Sequence, residues 1–322
     1  MRRRSFFTVL AFAWIVPLGL VVALTRNPIT AYFARQAYWL HSARGSGCFS
    51  HEDYACAESE YGKMIALQPD RMEGYERRGE ALLRLTRYSE AAADDTSALA
   101  RLMAAPSQNG RSAEDLRTSR AELLCNRGKA EAGMGRYAAA LSDVTQAIHL
   151  WPEIDDAHTV RMQVSYAAGK SDAASADADY VIQHKDAGMN IAYVIRSKIA
   201  ARRGRYGRAA QDLAEACRLQ PGIADQWFDL GWMQLKAGEA SQAVATYKEA
   251  LIHDPDRPSG WFRLCIAQLA AGDANAAMET VNTALPRSTA ADRTAARRDL
   301  ADAYHDYPSA ADQFDRANGW FR

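Results

Sequence analysis

The sequence feature that most constrains this chain is a period of 34 residues that runs through most of its length. Small or neutral residues mark one site of the period seven times, at Gly45, Gly79, Gly128, Met162, Ser197, Gly231 and Cys265. Alanine marks a second site, at Ala57, Ala91, Ala140, Ala174, Ala209, Ala243 and Ala277. The alanine intervals are 34, 49, 34, 35, 34 and 34 residues, so two insertions explain every deviation. Self-similarity at this spacing is typical of stacked helical arrays, and it predicts an all-α fold.

Each repeat is predicted to contain two helices joined by a tight turn. The clearest copy carries Trp227, Leu230, Gly231, Gln234, Gly238, Ala243, Tyr247, Ala250 and Pro255. Intervals of three and four within each half place these side chains on one face of a helix. Gly238 falls between the halves, where the chain must turn, and Pro255 closes the repeat because proline cannot continue a helix.

The pattern resembles the tetratricopeptide repeat, because closing prolines and turn tyrosines recur in register. They are Pro69, Pro152, Pro221 and Pro255, and Tyr54, Tyr88, Tyr137 and Tyr206. Seven repeats are identified, at 38–71, 72–105, 121–154, 155–188, 190–223, 224–257 and 258–291, with an insertion at 106–120. The fourth departs furthest from the family pattern, with Met162 at the small site and Ser171 in place of the turn tyrosine. The resemblance implies an α-solenoid, a right-handed superhelix of helix pairs whose concave groove binds peptides or other proteins.

The first 25 residues differ from the array in composition. Three arginines at 2–4 precede an apolar run at 6–24, in which Thr8 is the only polar residue. At about 1.5 Å per residue, this run is long enough to cross the ~30 Å hydrocarbon core of a bilayer. We expect one transmembrane signal-anchor in the inner (cytoplasmic) membrane, with the arginines in the cytoplasm and the array outside it. The alternative is a cleaved signal peptide, which would release a secreted or periplasmic protein.

An aromatic cluster lies where the juxtamembrane segment at 26–37 meets the first repeat. It contains Tyr32, Phe33, Tyr38 and Trp39. Aromatic side chains favour the membrane surface, so the cluster is interpreted as part of an interfacial helix. The other interpretation is that these side chains cover the open end of the first repeat, and both interpretations can hold together.

Capping-box patterns mark two further helix starts. Ser112 and Asp115 lie within the insertion, which we interpret as a short loop followed by a lengthened first helix of the third repeat. Thr289 and Asp292 open a polar helix after the seventh repeat. The segment 292–322 is therefore predicted to be a C-terminal capping helix and tail, since a repeat array needs a terminal element with a polar outer face.

The sequence offers no pattern that indicates chemistry. Lysine plus arginine equals aspartate plus glutamate, 39 of each, so no net field favours nucleic acid. The seven histidines lack metal-ligand spacing, and neither a glycine-rich phosphate loop nor a CxxC motif is present. We therefore predict no catalytic residue, metal or cofactor, and a protein that is not an enzyme.

The five cysteines divide into two kinds. Cys125, Cys217 and Cys265 occupy helix positions where a free cysteine packs as a small apolar residue. Cys48 and Cys56 flank the turn of the first repeat, and a location outside the cytoplasm would permit a disulfide between them. Two free thiols are the alternative.

On each first helix, one stripe of residues packs between the repeats. The family resemblance implies that a second stripe, about 100° around the helix from the first, faces the groove. It is mixed polar in the second to fifth repeats, where Lys198 belongs to it, and apolar in the last two. The apolar residues are Phe228, Trp232, Leu235, Phe262 and Ile266. We predict that they grip an apolar or aromatic segment of a partner. The alternative is that the cap helix, or the tail with Trp320 and Phe321, covers them within the same chain.

The predicted function is a membrane-anchored scaffold for protein–protein interactions. The alanine- and arginine-rich composition suggests a bacterial source, and the anchor suggests a cell-envelope complex for secretion, polysaccharide export or cofactor maturation. The alternative is a non-catalytic regulatory subunit of a membrane enzyme, whose segment the groove would hold.

Overall fold

A computed structural model describes residues 28–104, 112–154 and 156–306, with side chains from 31 to 302. These residues form fifteen α-helices and one 3₁₀ turn, and no strand occurs among them. The prediction of an all-α fold is therefore confirmed. The chain divides into two compact units, Met1–Ile154 and Asp155–Arg322, which are described separately.

The first unit contains three helix pairs. Its helices are α1 (Pro28–Ser50), α2 (Tyr54–Leu67), α3 (Met72–Arg84), α4 (Tyr88–Ala104), α5 (Ala113–Gly133) and α6 (Tyr137–Leu150). Within a pair the two helices pack along each other, and α3 and α5 also pack on the second helix of the pair before them. The three second helices, α2, α4 and α6, begin at the predicted turn tyrosines Tyr54, Tyr88 and Tyr137.

The second unit contains four helix pairs and a final helix. They are α7 (Ala157–Ala167), α8 (Ser171–His184), α9 (Met189–Arg202), α10 (Tyr206–Leu219), α11 (Ala224–Lys236), α12 (Ala240–His253), α13 (Pro258–Ala270) and α14 (Ala274–Ala284), then a 3₁₀ turn (Leu285–Arg287) and α15 (Ala290–Asp306). The helices α9, α11 and α13 each pack on the second helix of the preceding pair.

The turn inside every helix pair holds one residue with positive φ. Glycine fills this site in the last five pairs, at Gly135, Gly169, Gly204, Gly238 and Gly272. The first two pairs use Glu52 and Thr86 instead, with φ of 60° and 58°. Glycine adopts this backbone conformation without the Cβ clash that other residues suffer, so five of the seven turns have the unstrained residue.

Close helix approach explains both small-residue sites of the period. A Cβ atom added to Gly45 would lie 2.4 Å from the ring of Tyr61, and one added to Gly128 would lie 2.5 Å from Val144. The seven alanines of the second site are fully buried. A side chain added at Gly45 or Gly128 would therefore clash with the second helix of its own pair.

Both predicted capping boxes are present. The backbone N–H of Asp115 donates to the Ser112 hydroxyl at 3.0 Å, and the N–H of Ser112 donates to the Asp115 carboxylate at 2.9 Å. Thr289 and Asp292 repeat this arrangement at the start of α15. Each box satisfies backbone donors that the first helical turn cannot use.

The predicted transmembrane segment at 6–24 lies outside the described residues. Of the helices that are described, none is both long enough and apolar enough to cross a membrane. Helix α1 begins at Pro28, so most of the predicted juxtamembrane segment is continuous with the first array helix. Within the aromatic cluster, Tyr38 is buried, whereas Tyr32, Phe33 and Trp39 are exposed.

A disulfide joins Cys48, near the end of α1, to Cys56, in the first turn of α2. It closes the hairpin of the first helix pair. The other three cysteines, Cys125, Cys217 and Cys265, are buried thiols, and burial raises the pKa of the Cys217 and Cys265 thiols to about 12.

Candidate functional site

An arginine–aspartate pair recurs inside four consecutive helix pairs. In each, an arginine of the first helix donates through Nε and a terminal nitrogen to both carboxylate oxygens of an aspartate sixteen residues later, at 2.6–3.0 Å. The pairs are Arg78–Asp94, Arg127–Asp143, Arg161–Asp177 and Arg196–Asp212. Bidentate geometry of this kind fixes orientation as well as distance, so it locks each hairpin.

These pairs were not predicted from the sequence, although the sequence contains the pattern. Arginine and aspartate recur at the same repeat positions, and only the spacing of sixteen, which spans two helices, conceals the link. The last two helix pairs replace the ion pair with Leu230 and Thr246, and with Leu264 and Thr280, all of them buried. At this position the interior thus changes from an ion pair to uncharged side chains in the last two helix pairs.

The predicted apolar groove residues of the last two pairs are not open to solvent. Phe228, Leu235, Phe262 and Ile266 are at most 3% exposed and belong to one buried apolar cluster. The prediction that these four side chains face a partner directly is therefore wrong. Only Trp232 of the apolar set is half-buried, packed against the edge of that cluster.

Close packing between α11 and α13 accounts for the burial of Phe228. A Cβ atom on Gly260 would lie 2.4 Å from the Phe228 ring, so the missing side chain leaves the space that this ring fills. The guanidinium of Arg257 covers the ring at 4.6 Å and pairs with Asp225 at 2.6 Å. Phe228 therefore serves the packing of the array.

The final helix covers the apolar stripe of the last pair. Helix α15 packs mainly on α13 and also contacts α11. Its Ala296 and Leu300 are buried in the same cluster as Phe262 and Ile266. Intramolecular cover by the cap helix, the alternative that the sequence left open, is thus what the structure contains. Trp320 and Phe321 lie outside the described residues.

The remaining first helices of the second unit present a polar surface. Gln163 of α7 and Lys198 of α9 are exposed, and they hold the same repeat position as Trp232 of α11. We call these three residues the open column. Next to it, the guanidinium of Arg202 lies 4.6 Å from the ring centre of Tyr166, which orders both side chains.

The corresponding surface of the first unit mixes acidic and basic side chains, since Lys129 of α5 holds the position equivalent to Lys198. Glu80 of α3 and Glu122 of α5 are exposed, and Glu76 is half-buried. Burial and the charge of Glu80 raise the pKa of the Glu122 carboxyl. Cys125 of α5 is buried.

The described residues offer no arrangement suited to metal binding. Among them, no group of three or more histidine, cysteine, aspartate or glutamate side chains could hold an ion. His41 lies 2.7 Å from a carboxylate oxygen of Glu60, and His158 lies 3.2 Å from one of Asp177. Both histidines therefore belong to hairpin contacts of the array.

Comparisons with known proteins agree with this architecture. The family model of the tetratricopeptide repeat matches residues 234–293. A tetratricopeptide repeat protein from Parabacteroides merdae ATCC 43184 has a similar structure, with 15% identity, 83% of this chain and 99% of that chain covered, and a TM-score of 0.51. The C-terminal part of a TPR repeat-containing protein from Cytophaga hutchinsonii is also similar, with 14% identity, 84% of this chain and 97% of that chain covered, and a TM-score of 0.53. No curated protein matches the chain in sequence. The chain therefore has the tetratricopeptide-repeat fold.

Proposed function

We propose that this protein is a membrane-anchored scaffold that binds a segment of a partner protein along its first helices. The observation that carries the proposal is the open column, in which Gln163, Lys198 and Trp232 repeat at one position of three successive first helices. Repeat arrays of this fold class typically bind partners along such extended surfaces.

The chemistry of the open column defines the partner segment. Lys198 offers a cation, Gln163 offers an amide that donates and accepts, and Trp232 offers an aromatic face. A complementary segment presents acidic and hydrogen-bonding groups toward α7 and α9 and an apolar group toward α11. This differs from the apolar or aromatic partner segment that the sequence pattern predicted.

The proposed location is the inner membrane of a bacterial cell, with the array outside the cytoplasm and part of an envelope complex. The apolar run at 6–24 supports an anchor. The N-terminal half of α1 also supports it, because Tyr32, Phe33, Trp39 and Leu40 are 49–64% exposed. Aromatic side chains of this kind suit the membrane–water interface.

Site-specific photo-crosslinking in intact cells tests the binding surface. A photo-reactive residue at Lys198 is expected to capture one partner, which mass spectrometry then identifies. Lys248, an exposed lysine on the second helix α12, is the matched control and is expected to capture little. Equal yields from the two positions, or none from Lys198 and Trp232, would reject the proposal.

A further inference from the structure

Helix α15 does not continue the stack of helix pairs. In the second unit, the first helices α9, α11 and α13 each pack between two second helices, that of their own pair and that of the preceding pair. Helix α15 instead makes its main contacts with α13 and α11, which are both first helices. It therefore lies across the surface where the proposed function places a partner.

Two apolar side chains and two ion pairs hold α15 in place. Ala296 and Leu300, four residues apart, enter the apolar cluster of the last two pairs. Asp299 accepts from Nε of Arg263 at 2.8 Å, and Asp302 lies 3.2 Å from Nζ of Lys236. Helical spacing places both carboxylates along one edge of this apolar contact.

The attachment is slight compared with the packing of the array helices. Of the α15 side chains at 290–302, only Ala296 and Leu300 are buried, whereas six residues of α11 and eight of α13 are buried. Asp302 is 56% exposed, and partly exposed ion pairs contribute little to stability. Helix α15 can therefore leave while the helix pairs beneath it keep most of their own packing.

We propose that α15 is an internal ligand, and that a partner helix of the same chemistry displaces it from α11 and α13. The occupant is an amphipathic helix that places small or aliphatic residues four apart in the apolar cluster that contains Ile266 and Leu269, with carboxylates toward Arg263 and Lys236. This inference rests on the proposed function, because it assigns the partner surface to the first helices. It extends the partner surface to α13, and it proposes that α15 covers this part of the surface until a partner binds.

Charge complementarity selects this partner over a purely apolar one. The guanidinium of Arg263 lies 5.3 Å from the ring centre of Trp232 and also binds Asp299, so it links the open column to α15. A helix with carboxylates at the positions of Asp299 and Asp302 can engage Arg263 and Lys236 as α15 does. A helix with lysine or arginine at those two positions would be repelled by the same two cations.

A labelled peptide with the sequence of residues 288–306 provides the probe, and two full-length variants provide the comparison. Leu300→Lys removes the larger apolar anchor, whereas Ala301→Lys adds the same charge at the neighbouring exposed position. Helix content and the unfolding midpoint are measured for each, so that a folded array is verified before binding.

The peptide is expected to bind Leu300→Lys about tenfold more tightly than the wild type or Ala301→Lys, because a docked fraction of about nine-tenths lowers the apparent affinity tenfold. A peptide with Asp299→Asn and Asp302→Asn is expected to lose several-fold in affinity. Equal affinity for all three proteins, or no effect of the acidic residues, would overturn the inference. If Leu300→Lys does not fold, Asp299→Arg replaces it. This variant is also expected to bind the peptide about tenfold more tightly than the wild type, and equal affinity would overturn the inference.

The photo-crosslink at Lys198 separates this inference from the proposed function. If Lys198 captures a partner but α15 variants bind the peptide no better than the wild type, the inference fails and the proposed function stands. If no first-helix position captures a partner in either the wild type or Leu300→Lys, the proposed function fails.

Discussion

At the scale of single residues, Asp95 departs most from the pattern of the array. It is fully buried, and its carboxylate has no hydrogen-bond partner among the described residues. The equivalent residues of the other pairs are Tyr61, Val144, Ala178, Leu213, Tyr247 and Val281. Burial, together with the charge of Asp94, raises the pKa of Asp95 well above its ordinary value.

Replacing Asp95 with valine is therefore expected to stabilise the protein. Val144 occupies the equivalent place beside Gly128, as Asp95 does beside Gly79, so a valine should fit. Removing a buried polar group without a partner should raise the free energy of unfolding by about 1–3 kcal/mol at pH 7. Urea unfolding measures the change. Asp94→Val is the matched control and should destabilise, because it leaves Arg78 without its carboxylate.

The benefit of this substitution should depend on pH. Because the folded protein holds the Asp95 proton more tightly than the unfolded chain does, stability falls as pH rises from about 3.9, the unfolded pKa, through the raised folded pKa. The gain from Asp95→Val should therefore be small at low pH and larger at neutral pH. An equal gain in the free energy of unfolding at all these pH values would contradict a buried Asp95 carboxyl with a raised pKa.

Thr86 is the second residue that departs from the pattern. It has φ of 58° at the hairpin site where five other pairs have glycine. The left-handed conformation costs a residue with a Cβ roughly 1–2 kcal/mol, so Thr86→Gly should raise the free energy of unfolding by about 1 kcal/mol, after the added freedom of the unfolded chain is subtracted. Thermal unfolding tests this, and Gly238→Thr is expected to change the midpoint in the opposite direction.

At the scale of helices and hairpins, most of the fold was predictable from local pattern. The closing prolines, the turn tyrosines and the small sites define the helix pairs, because each acts within about one turn of its own helix. The burial of Phe228 was not predictable in this way. It depends on Gly260, which is distant in sequence, and on contacts between helix pairs that no single repeat reveals.

The candidate site was predicted less well, for the same physical reason. The predicted stripe on the first helices includes Lys198, which is exposed, and Trp232, which is half-buried, and their binding of a partner stays a prediction. Whether the apolar residues of the stripe are exposed depends on where α15 docks. Only two side chains of α15, Ala296 and Leu300, are buried in that contact. A polar helix with two buried residues has too weak a pattern to define its own position.

The Arg127–Asp143 pair allows a test at the scale of one hairpin. Arg127→Leu leaves the Asp143 carboxylate buried without its partner, and should lower the free energy of unfolding by about 1–3 kcal/mol. The double change Arg127→Leu with Asp143→Thr recreates the Leu230–Thr246 arrangement and should recover most of that loss. Urea denaturation of the four proteins in the cycle gives the coupling. Additive effects would show that the two side chains do not act together.

The Cys48–Cys56 disulfide should affect one hairpin rather than the whole fold. Its loop is shorter than the fifteen residues for which chain entropy gives about 3 kcal/mol, so reduction should lower stability by less than that. Thermal unfolding with and without reductant measures the difference. Peptide mapping without reductant, on protein from its native compartment, should recover the two cysteines linked, and free thiols there would contradict the expected location outside the cytoplasm.

At the scale of the whole molecule, the predicted anchor decides where the array works. Residues 6–24 should keep the protein in the membrane fraction after washing with high salt, and detergent should release it. A reporter fused after Arg322 should be active only outside the cytoplasm. A mature protein that begins near Leu24 and is released without detergent would instead indicate a cleaved signal peptide.

The central claim is that the first helices of the second unit form the partner surface and that α15 closes its C-terminal end. Amide hydrogen exchange of the full chain, with and without the partner captured at Lys198, tests this claim most directly. The expected result is slower exchange in α7, α9 and α11 and faster exchange in α15 when the partner binds. Slower exchange confined to the second helices, with α15 unchanged, would contradict it.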